Sequence, residues 1–243
     1  GPSATPAITV QNTCGVTGIH PVPPSYVKGQ IEAVMDDICP QAIKIGMIND
    51  TKIVEVIAEM LQKYQPQFVV FDPVMVSTSG CKLMEDEAIE AITTRLIPLA
   101  TLITPNLSEA EILAGQKIRT VEEMQRQAKE MLKLGCRGVL IKGGHLEGGR
   151  MCDVLQTVGE EAPHLFAAPK VDSRNTHGTG CTLSSAIATY LALGETVTDA
   201  VEKAKQYVYK GIEAGKDVCI GHGHGPLNHF YSPVPMHIFD KNG

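Results

Sequence analysis

No stretch of the 243 residues approaches the roughly 20 consecutive apolar positions that cross a bilayer, so no membrane-spanning helix is expected. The opening Gly1-Pro2-Ser3 carries no signal-peptide pattern, and the expected location is cytoplasmic. Seven cysteines stand singly, without a Cys-x-x-Cys pair; an odd, scattered set argues for reduced thiols and against a disulfide framework or zinc knuckle. Lysines and arginines form no stripe and the formal net charge is −6, so neither a nucleic-acid nor a membrane partner is expected. Gly-x-x-x-x-Gly-Lys-[Ser/Thr] is absent, which excludes a P-loop, and Gly221-His222-Gly223-His224-Gly225 lacks the Gly-x-Gly-x-x-Gly spacing. Nor do His222, His224 and His229 have a carboxylate or thiol to complete a metal set, so the run reads as a glycine loop. Without repeats, low-complexity segments or long linkers, and with 43% hydrophobic residues, positions 1–243 read as one domain.

What is present is a rhythm. Short apolar runs alternate with amphipathic ones, the pattern of β-α repetition around a buried, mainly parallel sheet, and the expected class is α/β. Strands are predicted at 7–11, 42–47, 68–71, 101–103 and 138–141. Between them, Ile53, Ile57, Met60 and Leu61 mark a helix over 51–64, and Met124, Ala128, Met131 and Leu132 another over 121–134. The second is bounded by Thr120 and Glu123 at capping-box spacing and by Gly135 at the C-cap. After Lys142 the rhythm changes: 151–157 and 165–168 read as an antiparallel hairpin at a sheet edge, followed by helices at 181–193 and 197–214.

Parallel sheets place ligands outside the carboxyl ends of their strands. The residues found there are Asn12-Thr13, Ile48-Asn49-Asp50, Asp72-Pro73-Val74-Met75, Thr104-Pro105-Asn106-Leu107-Ser108-Glu109 and Lys142-Gly143-Gly144-His145. Acids, an amide and a lysine gathered on one edge suit a nucleotide with its metal. Each also has a plainer reading. Asn106 with Glu109 fits a helix cap, Asp72 before Pro73 fits a turn, and Lys142 fits an exposed loop. A capping carboxylate can still face a hydrated Mg2+, which needs only one or two protein oxygens.

The stretch Asn175-Thr176-His177-Gly178-Thr179-Gly180-Cys181 opens a helix. Its glycines let backbone N–H groups approach a ligand, and the helix dipole adds positive charge, which together make an anion hole for a phosphoryl group. A helix N-terminus also favours the thiolate of a cysteine placed there. The plain alternative is a glycine-rich helix entry with a buried cysteine.

Taken in order, Val10-Gln11-Asn12-Thr13, Lys44-Ile45-Gly46-Met47, Asp72-Pro73-Val74-Met75, Thr104-Pro105-Asn106-Leu107 with Glu109, Lys142-Gly143-Gly144-His145 and Asn175 through Cys181 resemble the motifs of bacterial hydroxymethylpyrimidine / phosphomethylpyrimidine kinases of thiamine biosynthesis. The resemblance implies a ribokinase-like three-layer sandwich. It further implies ATP-dependent phosphorylation of 4-amino-5-hydroxymethyl-2-methylpyrimidine and of its monophosphate, Mg2+ as metal, and a homodimer. Under it Gln11 would bind the aminopyrimidine, with Met47 and Val74 lining its pocket. Asp72, Asn106 and Glu109 would organise Mg2+ and phosphates, Lys142 would contact phosphate, and Lys205 would lie near the nucleotide. Gly178, Thr179 and Gly180 would form the anion hole, and Cys181 would take the proton of the attacking hydroxymethyl group.

One departure from that resemblance is large. The family begins with a strand and a glycine-rich loop leading into a first helix, whereas residues 3–13 here align with the strand after that unit. About one βα unit is expected to be missing. Three other readings compete: pyridoxal kinase on the same fold, a non-catalytic binding remnant, and a cysteine hydrolase with Cys181 as nucleophile and His177 as base.

Overall fold

Six short strands carry the most apolar runs of the chain, and their pairing follows from which faces those runs must hide. The computed structural model describes residues 1–48, 50–75, 86–143, 150–235 and 237–238. Asn49, Gly144 and His145 lie outside the described residues. The chain opens with β1 (Ala7–Asn12), β2 (Gly15–Pro21) and α1 (Pro24–Asp37). It continues through β3 (Ala42–Ile45), α2 (Thr51–Tyr64), β4 (Phe68–Phe71), α3 (Asp86–Ala91), β5 (Leu102–Ile103), α4 (Leu107–Ala114), α5 (Val121–Met131) and β6 (Gly138–Ile141). It closes with β7 (Arg150–Thr157), β8 (His164–Pro169), α6 (Thr179–Ala192) and α7 (Val197–Gly215).

The main sheet runs β3-β4-β5-β6-β7-β8. The first four strands are parallel and the last two join as antiparallel neighbours, so the hairpin predicted at 151–157 and 165–168 is present. Alternate strand residues face opposite ways. Phe71, Ile103, Val139 and Ile141 join Ile53, Val54, Met124 and Ala128 of α2 and α5 in one core. Val70, Leu102, Leu140 and Leu155 join Leu183, Ile187, Val201 and Ala204 of α6 and α7 in the other. A sheet buried on both faces between helices is the three-layer sandwich expected.

Local rules fix the helix ends. The Asp50 side chain accepts from the N–H groups of Lys52 and Ile53, capping α2. At α5 the Thr120 hydroxyl accepts from Glu123 N at 3.2 Å, but the Glu123 carboxylate accepts from Arg119 N, so the capping box is only half formed. The last turn of that predicted helix tightens to a 3-10 turn at Leu132–Leu134 before Gly135 at φ 98°.

One predicted strand belongs elsewhere. Residues 7–11 form a strand, but β1 pairs antiparallel with β2 in a separate two-stranded sheet, not with the parallel sheet. Hydrophobic alternation marks a strand without naming its partner, and here Ile8 and Val10 stay exposed. Also unforeseen were β2, α1 and α3.

Candidate active site

The carboxyl ends of β3 to β6 line up because the ladder continues one step past each strand. Asp72 N donates to Ile45 O, Thr104 N to Phe71 O and Lys142 N to Pro105 O, at 2.8 to 2.9 Å. Asp72, Thr104 and Lys142 therefore share one rim. Asp72 is buried, and its Oδ1 accepts from Lys142 Nζ at 2.8 Å and from Thr104 Oγ1 at 3.0 Å. Its other oxygen, Oδ2, lies 3.4 Å from the hydroxyl of Ser184 on α6. The lysine is therefore no exposed loop side chain but the countercharge of a buried carboxylate.

The glycine turn comes to the same place. Gly178, at φ 80°, is the N-cap of α6 and has no side chain to cap the helix with. Two residues on, a Cβ at Gly180 would stand 3.4 Å from Lys142 Nζ and 3.8 Å from Asp72 Oδ2. Backbone at an uncapped helix start thus lies directly against the Asp72–Lys142 pair. Cys181, the next residue, is exposed.

Glu109 sits beside this group. Both halves of its capping box with Asn106 exist: Glu109 N donates to Asn106 Oδ1 at 3.0 Å, and Asn106 N donates to Glu109 Oε2 at 2.8 Å. Its second oxygen accepts from Met75 N at 3.4 Å. Burial pushes its carboxyl up to about 7, opposed by the charge of Lys142 and the Asn106 N–H and assisted by Asp72. The cap and the site are one structure.

Lys205 makes an ion pair with Asp153 of β7, whose Oδ1 accepts from Gly143 N at 2.9 Å. Lys205 therefore braces the turn after Lys142. A Cβ at Gly143 would overlap the Cys152 carbonyl, which is why glycine follows the lysine. Gln11 arrives from the β1-β2 hairpin, with Nε2 3.2 Å from His177 Nε2. Met47 and Val74, expected to line the substrate pocket, are half-buried at the ends of β3 and β4. Sequence reasoning missed Thr104 as a partner of Asp72, and missed Ser184 and Asp153 altogether. Asp153 had a signal, an acid between the apolar residues Met151, Cys152, Val154 and Leu155 of a strand.

The donor set bears on the metal. Among the described residues no three His, Cys, Asp or Glu side chains gather to hold an ion. Asp72 and Glu109 are two acids on one rim, the number that Mg2+ takes from protein when phosphates and waters complete its shell. The residues fit such an ion.

A family model of phosphomethylpyrimidine kinase matches residues 1–228. The chain belongs to that family. It is a phosphotransferase, and its kinase family implies ATP as donor and a small molecule as acceptor. It is 40% identical over 233 residues to the hydroxymethylpyrimidine/phosphomethylpyrimidine kinase of Escherichia coli K12, covering 96% of this chain and 87% of that one. It is 45% identical over 229 residues to the thiamine biosynthesis bifunctional protein of Geobacter sulfurreducens, covering 94% of this chain but only 46% of that protein's length. Among solved structures, an ADP complex of Bacillus subtilis pyridoxal kinase superposes with a TM-score of 0.85 at 32% identity, over 94% of this chain and 86% of that one. The fold of this kinase is ribokinase-like. Among the described residues no helix is long and apolar enough to cross a membrane.

Proposed function

We propose that this kinase transfers the γ-phosphoryl group of ATP to the hydroxymethyl oxygen of 4-amino-5-hydroxymethyl-2-methylpyrimidine, and then phosphorylates the monophosphate. It does so in the cytoplasm, as a homodimer, with positions 1–243 acting as one kinase domain. The observation that carries the reading is the approach of Gly180 to the buried Asp72–Lys142 pair. Phosphoryl transfer asks a protein chiefly for positioning and charge stabilisation. An ammonium group beside a helix start with no side-chain cap supplies both where the transferred group would pass, with Thr179 N turning from its 3.3 Å contact with Thr176 O to the ligand.

In this mechanism Gly178, Thr179 and Gly180 offer N–H groups to the phosphoryl oxygens, and Lys142 adds positive charge held in place by Asp72. Cys181, exposed next to that turn, takes the hydroxymethyl proton as the oxygen attacks. Asp72 and Glu109 would hold Mg2+, with Asn106 fixing Glu109; a bound Mg2+ neutralises phosphate charge during transfer. Lys205 acts through Asp153 on the Gly143 turn and so positions Lys142. Gln11 hydrogen-bonds the ring of the acceptor, with Met47 and Val74 against its apolar side.

Pyridoxal is the second reading, favoured by the likeness to the pyridoxal kinase complex. A cysteine hydrolase is disfavoured, because the His177 ring meets Gln11, and no hydrogen bond joins it to Cys181 among the described residues. ADP release with each alcohol, with and without Mg2+, tests the proposal: release that depends on both alcohol and metal supports it, and release indifferent to the alcohol does not.

A further inference from the structure

The contact between Gln11 and His177 joins residues 166 positions apart, and one loop holds both of them. His177 N donates to Gly225 O at 3.1 Å, and His177 bridges Pro226. Gly225 packs on Asn175, whose amide donates to Gly215 O and Val218 O, each at 2.6 Å. On the hairpin side, Gly223 N donates to Thr13 Oγ1 at 3.2 Å and His224 N to Thr13 O at 3.0 Å. The Gly-His run is thus a wedge that fixes the hairpin and the glycine turn relative to each other. It leaves two side-chain nitrogens face to face.

Two facing nitrogens cannot both donate. A glutamine amide has a donor end and an acceptor end, and a neutral imidazole has one nitrogen of each kind. With the Gln11 NH2 towards His177, the contact is a hydrogen bond when the ring is the tautomer protonated at Nδ1, whose Nε2 accepts, and the Gln11 Oε1 is then turned away from the ring. We propose that His177 is a positioning residue that sets the Gln11 amide with its oxygen towards the acceptor substrate. A ring carrying an exocyclic amine, a donor, is then matched. A pyridine carrying phenolate and aldehyde oxygens, both acceptors, is not. This rests on the reading that Gln11 contacts the substrate ring.

The test is the ratio of kcat/KM for 4-amino-5-hydroxymethyl-2-methylpyrimidine over that for pyridoxal, measured at fixed MgATP. Effects of a new charge on the shared nucleotide site cancel in this ratio. His177→Lys offers donors only and would draw the Gln11 oxygen towards itself and away from the substrate. The ratio is expected to fall about tenfold, the scale of one mismatched hydrogen bond, through the KM of the aminopyrimidine. His177→Asn, smaller and neutral with an amide that can still accept, is expected to fall between the two. In a Gln11→Ala background, His177→Lys should leave the ratio where Gln11→Ala put it. Ratios within twofold of the unmodified chain in both folded variants, or the same change with Gln11 absent, overturn the inference while the kinase reading stands. No turnover of either alcohol by the unmodified chain overturns both.

Discussion

Lys142 Nζ and Asp72 Oδ1 stand 2.8 Å apart although the residues are 70 positions apart in the chain, and the absent side chain of Gly180 keeps the space beside them open. Removing Lys142 would leave the buried Asp72 carboxylate without its countercharge, with only the hydroxyls of Thr104 and Ser184 beside it. Lys142→Ala should therefore lose about 3 kcal/mol of stability in addition to activity, whereas Lys142→Arg should recover stability more than turnover. Denaturant midpoints alongside kcat check this; an unchanged midpoint for Lys142→Ala would show that the pair is not buried as described.

Gly180→Ala separates stability from function. Alanine raises helix propensity by up to about 1 kcal/mol, and its methyl group meets no backbone. The same methyl group occupies the approach to Lys142 and Asp72. Turnover should fall about 100-fold while the melting temperature holds or rises, on the scale of losing aligned oxyanion donors.

Glu109 gives a pH signature. Its folded carboxyl titrates at about 7, above the 4.5 of an unperturbed glutamate, so its ionisation opposes folding. The stability present below pH 4.5 is lost as pH rises through about 7, by on the order of 3 kcal/mol. Glu109→Gln keeps a capping-box side chain and cannot ionise. Without ligand, this variant should gain on the unmodified protein between pH 5 and pH 8 in denaturant titrations, and its turnover should need more Mg2+. A parallel pH course for the two proteins would contradict the raised carboxyl.

Cys181→Ala should lower turnover by at least about 100-fold, the usual worth of a positioned base, and leave ATP affinity within twofold. Unchanged turnover would remove Cys181 from the chemistry. Thiol labelling offers a companion readout. Cys181 is exposed and should react unless MgATP protects it, whereas burial pushes the Cys136 thiol up to about 11 and should keep it inert.

Gly223→Ala probes the wedge. A Cβ there would overlap the Thr13 carbonyl, so the hairpin must shift away from the glycine turn. Proteolysis within residues 7–21 should quicken and the KM for the alcohol should rise, with the core's unfolding midpoint little changed.

The sandwich was legible because its strands are buried on both faces and read as unbroken apolar runs, Phe68–Phe71 most clearly. The rim was legible because strand ends in such sheets collect ligand residues, which brought Asp72, Asn106, Glu109 and Lys142 together on paper. Pairing was less so. Nothing in the alternation of Ile8 and Val10 distinguishes a strand in the main sheet from one in an outlying hairpin, and β2 carries glycine and proline where a core strand would carry bulk. The wedge was hidden for another reason. Gly221 to Gly225 reads as a loop by composition, and only the close approach of Thr13 and Asn175 explains why those positions lack side chains. Asp153 escaped because its charged partner, Lys205, is 52 positions away and because the backbone N–H of Gly143, 10 positions away, leaves no trace in the residue pattern.

The measurement that bears most directly on the account is ADP formation by the purified chain with MgATP and 4-amino-5-hydroxymethyl-2-methylpyrimidine, with product mass followed on the same samples. The account predicts ADP in step with the monophosphate and then the diphosphate, and loss of both in Gly180→Ala and Cys181→Ala. Folded protein that binds MgATP yet forms neither product, nor pyridoxal phosphate when pyridoxal replaces the pyrimidine, would contradict it.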